Sequence, residues 1–405
     1  MTTSTRLSLT PTERRTTVCL AGLFAARMLG LFLVLPVFAV AAQTLQGGMD
    51  PVQVGLALGI YGLTQAVMQI PFGMASDRWG RRPVILFGMV LFMVGSVICA
   101  MSDTIYWVTI GRAIQGSGAI SAAITAWLAD STRPEVRTRA MAMIGASIGM
   151  SFAVSLVLSP FVVGFVGLSG LFWVITALGA IAFIVAGWVI PTVPQVKEDS
   201  SSAGVLSVFT DGGLVRLNIG VFFLHLSQIA LFVVVPPLLS EYGGLSANHL
   251  WHAYLPVILV SFVFMVPIII VTEKRRAHVQ TLKLCVLLLI VVGAGLATLS
   301  SGWWPLLFWL FLFFVAFNVL EALQPSLVSR LAPAGMKGLA LGVYSTTQAL
   351  GLFLGGVLGG WLSRSAGSNA VFWAVAVLSA LWFVSTVSLK APAMQASPVQ
   401  SDSGN

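Results

Sequence analysis

Long apolar runs separated by short polar turns set the rhythm of this chain. Twelve stretches rich in Leu, Val, Ile, Phe, Ala and Gly recur near 17–42, 52–75, 83–101, 105–129, 140–165, 170–191, 217–240, 250–271, 279–299, 304–328, 338–362 and 369–389. At about 1.5 Å of rise per residue, about 20 apolar residues in a helix cross a hydrocarbon core of about 30 Å. The pattern therefore predicts an all-α integral membrane protein with twelve transmembrane helices. An even number of crossings returns both termini to one side.

The longest polar interruption, Thr192 to Arg216, carries Lys197-Glu198-Asp199-Ser200-Ser201-Ser202 and divides the runs six plus six. The halves repeat weakly at an offset near 200: Leu35-Pro36 returns as Val235-Pro236, and Ile70-Pro71 as Val266-Pro267. Two pseudo-symmetric six-helix bundles are expected, residues 1–191 and 217–390, joined by a cytoplasmic linker at 192–216 and followed by a cytoplasmic tail at 391–405. Basic residues decide the orientation. Arg78, Arg81, Arg82, Arg133, Arg137, Arg139, Lys197, Arg216, Lys274, Arg275, Arg276, Arg330 and Lys337 fall in the turns of one side, while the other holds Asp50, Asp103 and Glu241 against Arg364. By the positive-inside rule both termini lie in the cytoplasm, and a cell inner (cytoplasmic) membrane of bacterial type is expected. Arg14 and Arg15 precede a run ending in Ala39-Val40-Ala41, which mimics a signal-peptide cleavage site. The run exceeds the usual length of about 7 to 15 residues and carries Arg27, so no cleavage is expected.

Composition narrows the function. The 405 residues are 58% hydrophobic and 8% charged, against about 25% charged in soluble domains. The net charge of +8 is scattered over short turns, which speaks for membrane topology and against a nucleic-acid partner. Cys19, Cys99 and Cys285 lie in apolar runs without metal spacing and are read as packing thiols. With no nucleotide-binding loop, an ATP-driven pump is disfavoured. No enzyme chemistry, cofactor or metal is expected.

Ionisable residues inside a span are costly and mark function. Arg27 sits near the middle of the first span, Arg112 in the outer half of the fourth, His225 in the inner half of the seventh and Glu321 in the inner half of the tenth. Glu321 is the only acid deep in any span; a carboxyl in such surroundings can exchange protons near neutral pH, which makes it the first candidate for proton coupling. His225 is a second candidate, because a free imidazole titrates near about 6.5. Arg27 and Glu321 both lie roughly 15 Å from the inner surface, a matching depth that predicts a pair across the halves. Phe24, Phe32, Tyr61, Gln65, Gln69, Gln228, Asn318 and Tyr344 supply aromatic faces and neutral hydrogen bonds for a substrate site. Such a lining suits an apolar or weakly cationic organic solute better than a sugar.

Between the second and third runs stands Gly73-Met74-Ala75-Ser76-Asp77-Arg78-Trp79-Gly80-Arg81-Arg82. Its Gly-x-x-x-Asp-Arg-x-Gly-Arg-Arg pattern resembles the signature loop of the major facilitator superfamily of secondary transporters. In that family the loop is associated with locking one conformation, which implies a latch made by Gly73, Asp77, Arg78, Gly80, Arg81 and Arg82. In the outward-facing state Asp77 is expected to dock on the start of the eleventh span, at Lys337-Gly338, where a helix N-terminus favours an anion. The second copy of the loop, Glu273-Lys274-Arg275-Arg276, keeps the acid and the basic cluster but has lost both glycines. Arg112-Ala113-Ile114-Gln115-Gly116-Ser117-Gly118 resembles another motif of proton-driven members, in which the Arg is linked to proton transfer. The fifth span departs from the antiporter element Gly-Pro-x-x-Gly-Gly, offering Ser159-Pro160-Phe161-Val162-Val163-Gly164 instead.

Arg27-Met28-Leu29-Gly30, Asn318-Val319-Leu320-Glu321-Ala322-Leu323-Gln324-Pro325-Ser326 and Gly342-Val343-Tyr344-Ser345 look like those of YajR-type drug and proton antiporters. The extra soluble domain of that type has no room in the residues after Lys390. The resemblance implies a monomeric carrier in the lipid bilayer that exchanges protons for a small organic substrate. An uncoupled facilitator or importer, or a transport-inactive ligand sensor, remains the alternative.

Overall fold

The computed structural model describes residues 9–191, 207–246, 249–333 and 336–389, almost all of them helical. Helix α1 (Pro11–Phe32) opens with a capping box: Glu13 N donates to Thr10 Oγ1 at 3.3 Å, and Thr10 N donates to Glu13 Oε2 at 2.8 Å. It breaks at Leu33 and Val34 and resumes as α2 (Leu35–Ala41), with Pro36 in the first turn, where a missing N–H costs nothing. Asp50 caps α3 (Pro51–Trp79) by accepting from Val52 N at 3.0 Å. Gly80 separates α3 from α4 (Arg81–Ala100) with φ 96° and ψ 154°, a conformation nearly reserved for glycine.

The fourth expected crossing is interrupted. It forms α5 (Ile105–Ser117) and α6 (Ser121–Asp130), and the break brings backbone against backbone. A Cβ on Gly118 would stand 2.3 Å from Gly88 O on α4. The fifth and sixth expected crossings run together as α7 (Pro134–Ile184), 51 residues long, interrupted at Gly167 with φ 68°. At about 1.5 Å per residue this is more than two bilayer crossings long.

The second half follows as α8 (Gly212–Gly243), α9 (Trp251–Arg275), α10 (His278–Leu299), α11 (Trp303–Leu331), α12 (Lys337–Ala366) and α13 (Ser368–Val387). Asp211 caps α8 by accepting from Gly213 N and Leu214 N, both at 2.9 Å. Among the described residues ten helical segments are long and apolar enough to span a membrane. The interrupted fourth crossing and the doubled α7 bring the fold to the expected twelve. Most of the expected linker, and the expected tail, lie outside the described residues.

The halves meet mainly through α3 and α12. A Cβ on Gly55 would lie 2.1 Å from Gly356 O, one on Gly59 2.6 Å from Phe353 O, and one on Gly62 2.3 Å from Ala349 O. Glycine lets these backbones touch, which no larger residue permits. All these contacts lie toward the end that carries Asp50, Asp103 and Glu241. There Arg364 pairs with Asp50 at 3.2 Å, and Phe161 stacks on Trp251 with centroids 4.7 Å apart. The acidic end is thus closed.

Candidate functional site

Two polar clusters lie inside the bundle, one in each half. In the first, Arg27 on α1 donates to Ser121 Oγ on α6 at 2.7 Å, and Arg112 on α5 donates to Gln115 Oε1 at 2.6 Å. Gln115 in turn donates to Ser96 Oγ on α4 at 2.8 Å. Tyr61 on α3 faces both cations, its ring centroid 5.9 Å from the Arg27 guanidinium carbon and 4.8 Å from that of Arg112. All three side chains are fully enclosed, and the ring face supplies part of the stabilisation that a carboxylate would otherwise give.

The second cluster is built on α8, α11 and α12. His225 Nδ1 donates to Val221 O at 3.0 Å, one turn back on α8, which leaves Nε2 of the neutral ring as an acceptor. Gln348 Nε2 on α12 donates to it at 2.6 Å. Glu321 Oε2 on α11 stands 3.5 Å from the same nitrogen. His225 is sealed, whereas the Glu321 side chain keeps 19% exposure, with its Oε2, the oxygen facing the imidazole, enclosed and without a hydrogen-bond partner. Tyr344 on α12 faces Glu321, and Phe317 packs edge-on to the imidazole at 5.8 Å. Asn318 donates to Ser261 Oγ on α9 at 3.1 Å. Gln228 and Gln324 are enclosed, their amide atoms without a hydrogen-bond partner.

The expected pair of Arg27 with Glu321 is not formed. Matching depth fixes only the height of a side chain along its helix. The direction in which it points differs here: Arg27 turns into its own half toward α6, and Glu321 turns toward α8 and α12. Of the expected lining, Phe24, Gln65 and Gln69 are buried alongside Tyr61 in the first half. Phe32 packs on Phe152 of α7 at 5.2 Å, and Phe152 lies 5.3 Å from Phe317, joining the halves.

At the basic end, Arg81 is the hub of the signature loop. It pairs with Asp77, donates to Asp130 Oδ2 on α6 at 3.0 Å and to Ser76 Oγ at 2.9 Å. Arg82 donates to Ile190 O and stands 5.8 Å from the Trp127 ring, while Arg78 is exposed. Asp77, expected on the start of α12 in the outward-facing state, stands away from it in this one: its side chain is 68% exposed, and nothing lies within 4 Å of where a Gly338 Cβ would be. The reason is that the halves converge at the opposite end. In the second copy of the loop, Arg276 takes the position of Gly80 and its positive φ, 52°. Glu273 accepts there from Arg330 at 3.1 Å and lies 3.0 Å from His278 Nε2. The charge order is inverted: a cation is the hub of one loop and an acid the hub of the other.

A family model described as Major Facilitator Superfamily matches residues 20–356. The chain belongs to that superfamily. Its relatives are transporters, not enzymes, and the chain is a multi-pass membrane transport protein. It is 45% identical to the inner membrane transport protein YajR of Escherichia coli over 388 residues, 95% of this chain and 85% of that one. It is 26% identical to the multidrug resistance protein MdtH of Yersinia enterocolitica over 83% of each chain. In fold it is similar to a D-xylose-proton symporter, with a TM-score of 0.75 at 14% identity over 93% of this chain and 98% of that one. Sequence reasoning missed Ser121, Asp130, Phe152 and Gln348 as members of these clusters. Gln348 carried a signal, since it lies one helical turn after Tyr344 and so shares its face.

Proposed function

We propose that this major facilitator is a proton-coupled antiporter that expels small organic compounds or drugs by alternating access. The observation that carries the reading is a half-buried carboxyl side chain, Glu321, set 3.5 Å from an enclosed imidazole, His225, in an otherwise apolar bundle. Burial sets the two groups apart from ordinary surface residues, and their closeness lets one proton serve both. Arg27 and Arg112 act from the other half as fixed positive charges that hold the cavity field. Phe24, Phe32, Tyr61, Gln65, Gln69, Gln228, Asn318 and Tyr344 offer the surfaces that take the solute as the halves move.

The two bundles, 1–191 and 217–390, rock about the middle. The basic end faces the cytoplasm of a bacterial-type cell and the carrier works as a monomer in the inner membrane. Closure at the acidic end then makes the present state inward-facing. In the opposite state Gly73, Asp77, Arg78, Gly80, Arg81 and Arg82 hold the inner end shut, with Asp77 on the start of α12. The names of the relatives, an inner membrane transport protein and a multidrug resistance protein, support the same reading.

The test is accumulation of labelled tetraphenylphosphonium, and of a panel of organic dyes, in proteoliposomes with and without an imposed pH gradient. Antiport predicts that at least one probe is concentrated only on the side that supplies protons. Movement that ignores the gradient would mark a facilitator, and no movement of any probe a sensor.

A further inference from the structure

Gln348 has no part in the reading so far, yet it holds the one imidazole atom that matters for proton uptake. His225 Nδ1 is committed to Val221 O at 3.0 Å, so Nε2 carries the free lone pair of the neutral ring. Gln348 Nε2 donates into that lone pair at 2.6 Å, and Glu321 Oε2 waits 3.5 Å away. The lone pair cannot accept both the amide hydrogen and a proton.

We propose that Gln348 is a positioning residue that locks α12 while the carrier is empty, and that a proton on His225 releases the lock. The inference rests on the proton-coupled reading above. When a proton reaches Nε2, a new N–H bond forms along the axis of the former lone pair, and the Glu321 carboxyl 3.5 Å away becomes the counter-charge of the imidazolium. The hydrogen bond from Gln348 to Nε2 breaks. The amide can rejoin the imidazolium only by turning over to present Oε1, since a protonated ring has two donors and no acceptor. Seen from His225, the titratable groups on the packed helices are Glu321 on α11 and Tyr344 on α12, and Tyr344 faces Glu321.

The lock sits on the helix that closes the acidic end. Gly351 and Gly355 bring α12 onto α8, where an added Cβ would meet Phe222 O at 2.4 Å and Leu226 O at 2.3 Å. One turn further along, Gly356 and Gly360 bring the same helix onto α3. Gln348 therefore ties α12 to α8 beside the seam between the halves. An exchanger must not cross the membrane empty, or it leaks its gradient. The donation from Gln348 Nε2 exists only in the deprotonated site, which ties the release of α12 to proton uptake.

The test uses full-length protein in nanodiscs, spin-labelled at Met101→Cys and Ser301→Cys on the acidic-end turns of the two halves, in a background with Cys19, Cys99 and Cys285 replaced by Ala. Distances are read across a pH series without substrate. Wild type is expected to give one short distance at high pH and a second, longer population as pH falls. Gln348→Leu and Gln348→Met, which remove the donor at similar size, should show both populations at every pH. Distributions and midpoint identical to wild type in both variants would overturn the lock. A wild type that shows no pH dependence at all would overturn the proton-coupled reading itself, and the lock with it.

Discussion

At the scale of single residues the account rests on Glu321 and His225 sharing one lone pair's reach. Glu321→Gln is expected to leave the helical fold and probe binding intact while removing pH-driven transport, which circular dichroism and gradient-driven uptake would separate. Retained uptake against a gradient would place the coupling group elsewhere. Arg27 and Glu321 turn to different partners, and residues that share no contact have effects that add within about 0.5 kcal/mol. A double-mutant cycle of Arg27→Gln and Glu321→Gln on thermal stability should therefore be close to additive; a large coupling energy would restore the pair. The ionisable residues themselves were legible in the sequence, because a charge inside an apolar run stands out. Their pairing was not. Position along a run gives depth, while rotation about the helix axis depends on packing that the runs do not encode.

At the scale of elements the two glycines of the signature loop separate. Gly80 has φ 96° and ψ 154°, so Gly80→Ala should cost about 1–3 kcal/mol in thermal unfolding. Gly73→Ala should be nearly silent in stability, since its Cβ would meet only Ala122 Cβ, at 3.8 Å. Equal losses for the two would contradict this assignment. Helix ends were also unevenly legible. The caps Thr10 and Asp211 lie several residues before the apolar runs they introduce and Asp50 just before its own, while the break at Gly118 reads as uninterrupted span because its cause is the approach of Gly88 on another helix. The second loop copy has lost both glycines. At the position of Gly80, with φ 96° and ψ 154°, stands Arg276 in the left-handed region, with φ 52° and ψ 33°.

At the scale of the whole molecule the twelve crossings and the superfamily could be read from the runs and the signature loop, but the conformational state could not. Which end is shut depends on how the halves pack against each other, which the runs do not encode. In this state Gly55 and Gly356 touch at the acidic end, and Gly356→Leu should drive those helices apart without unfolding either half. The same spin-label pair should then report the longer distance at all pH values; an unchanged short distance would contradict the seam's role. The central claim, that this carrier exchanges protons for an organic solute, is tested most directly by proteoliposomes filled with the pH-sensitive dye pyranine. With a probe found to be transported, its addition on one side should move protons to that side, in wild type and not in Glu321→Gln. Probe transport with no change in dye signal would contradict the account.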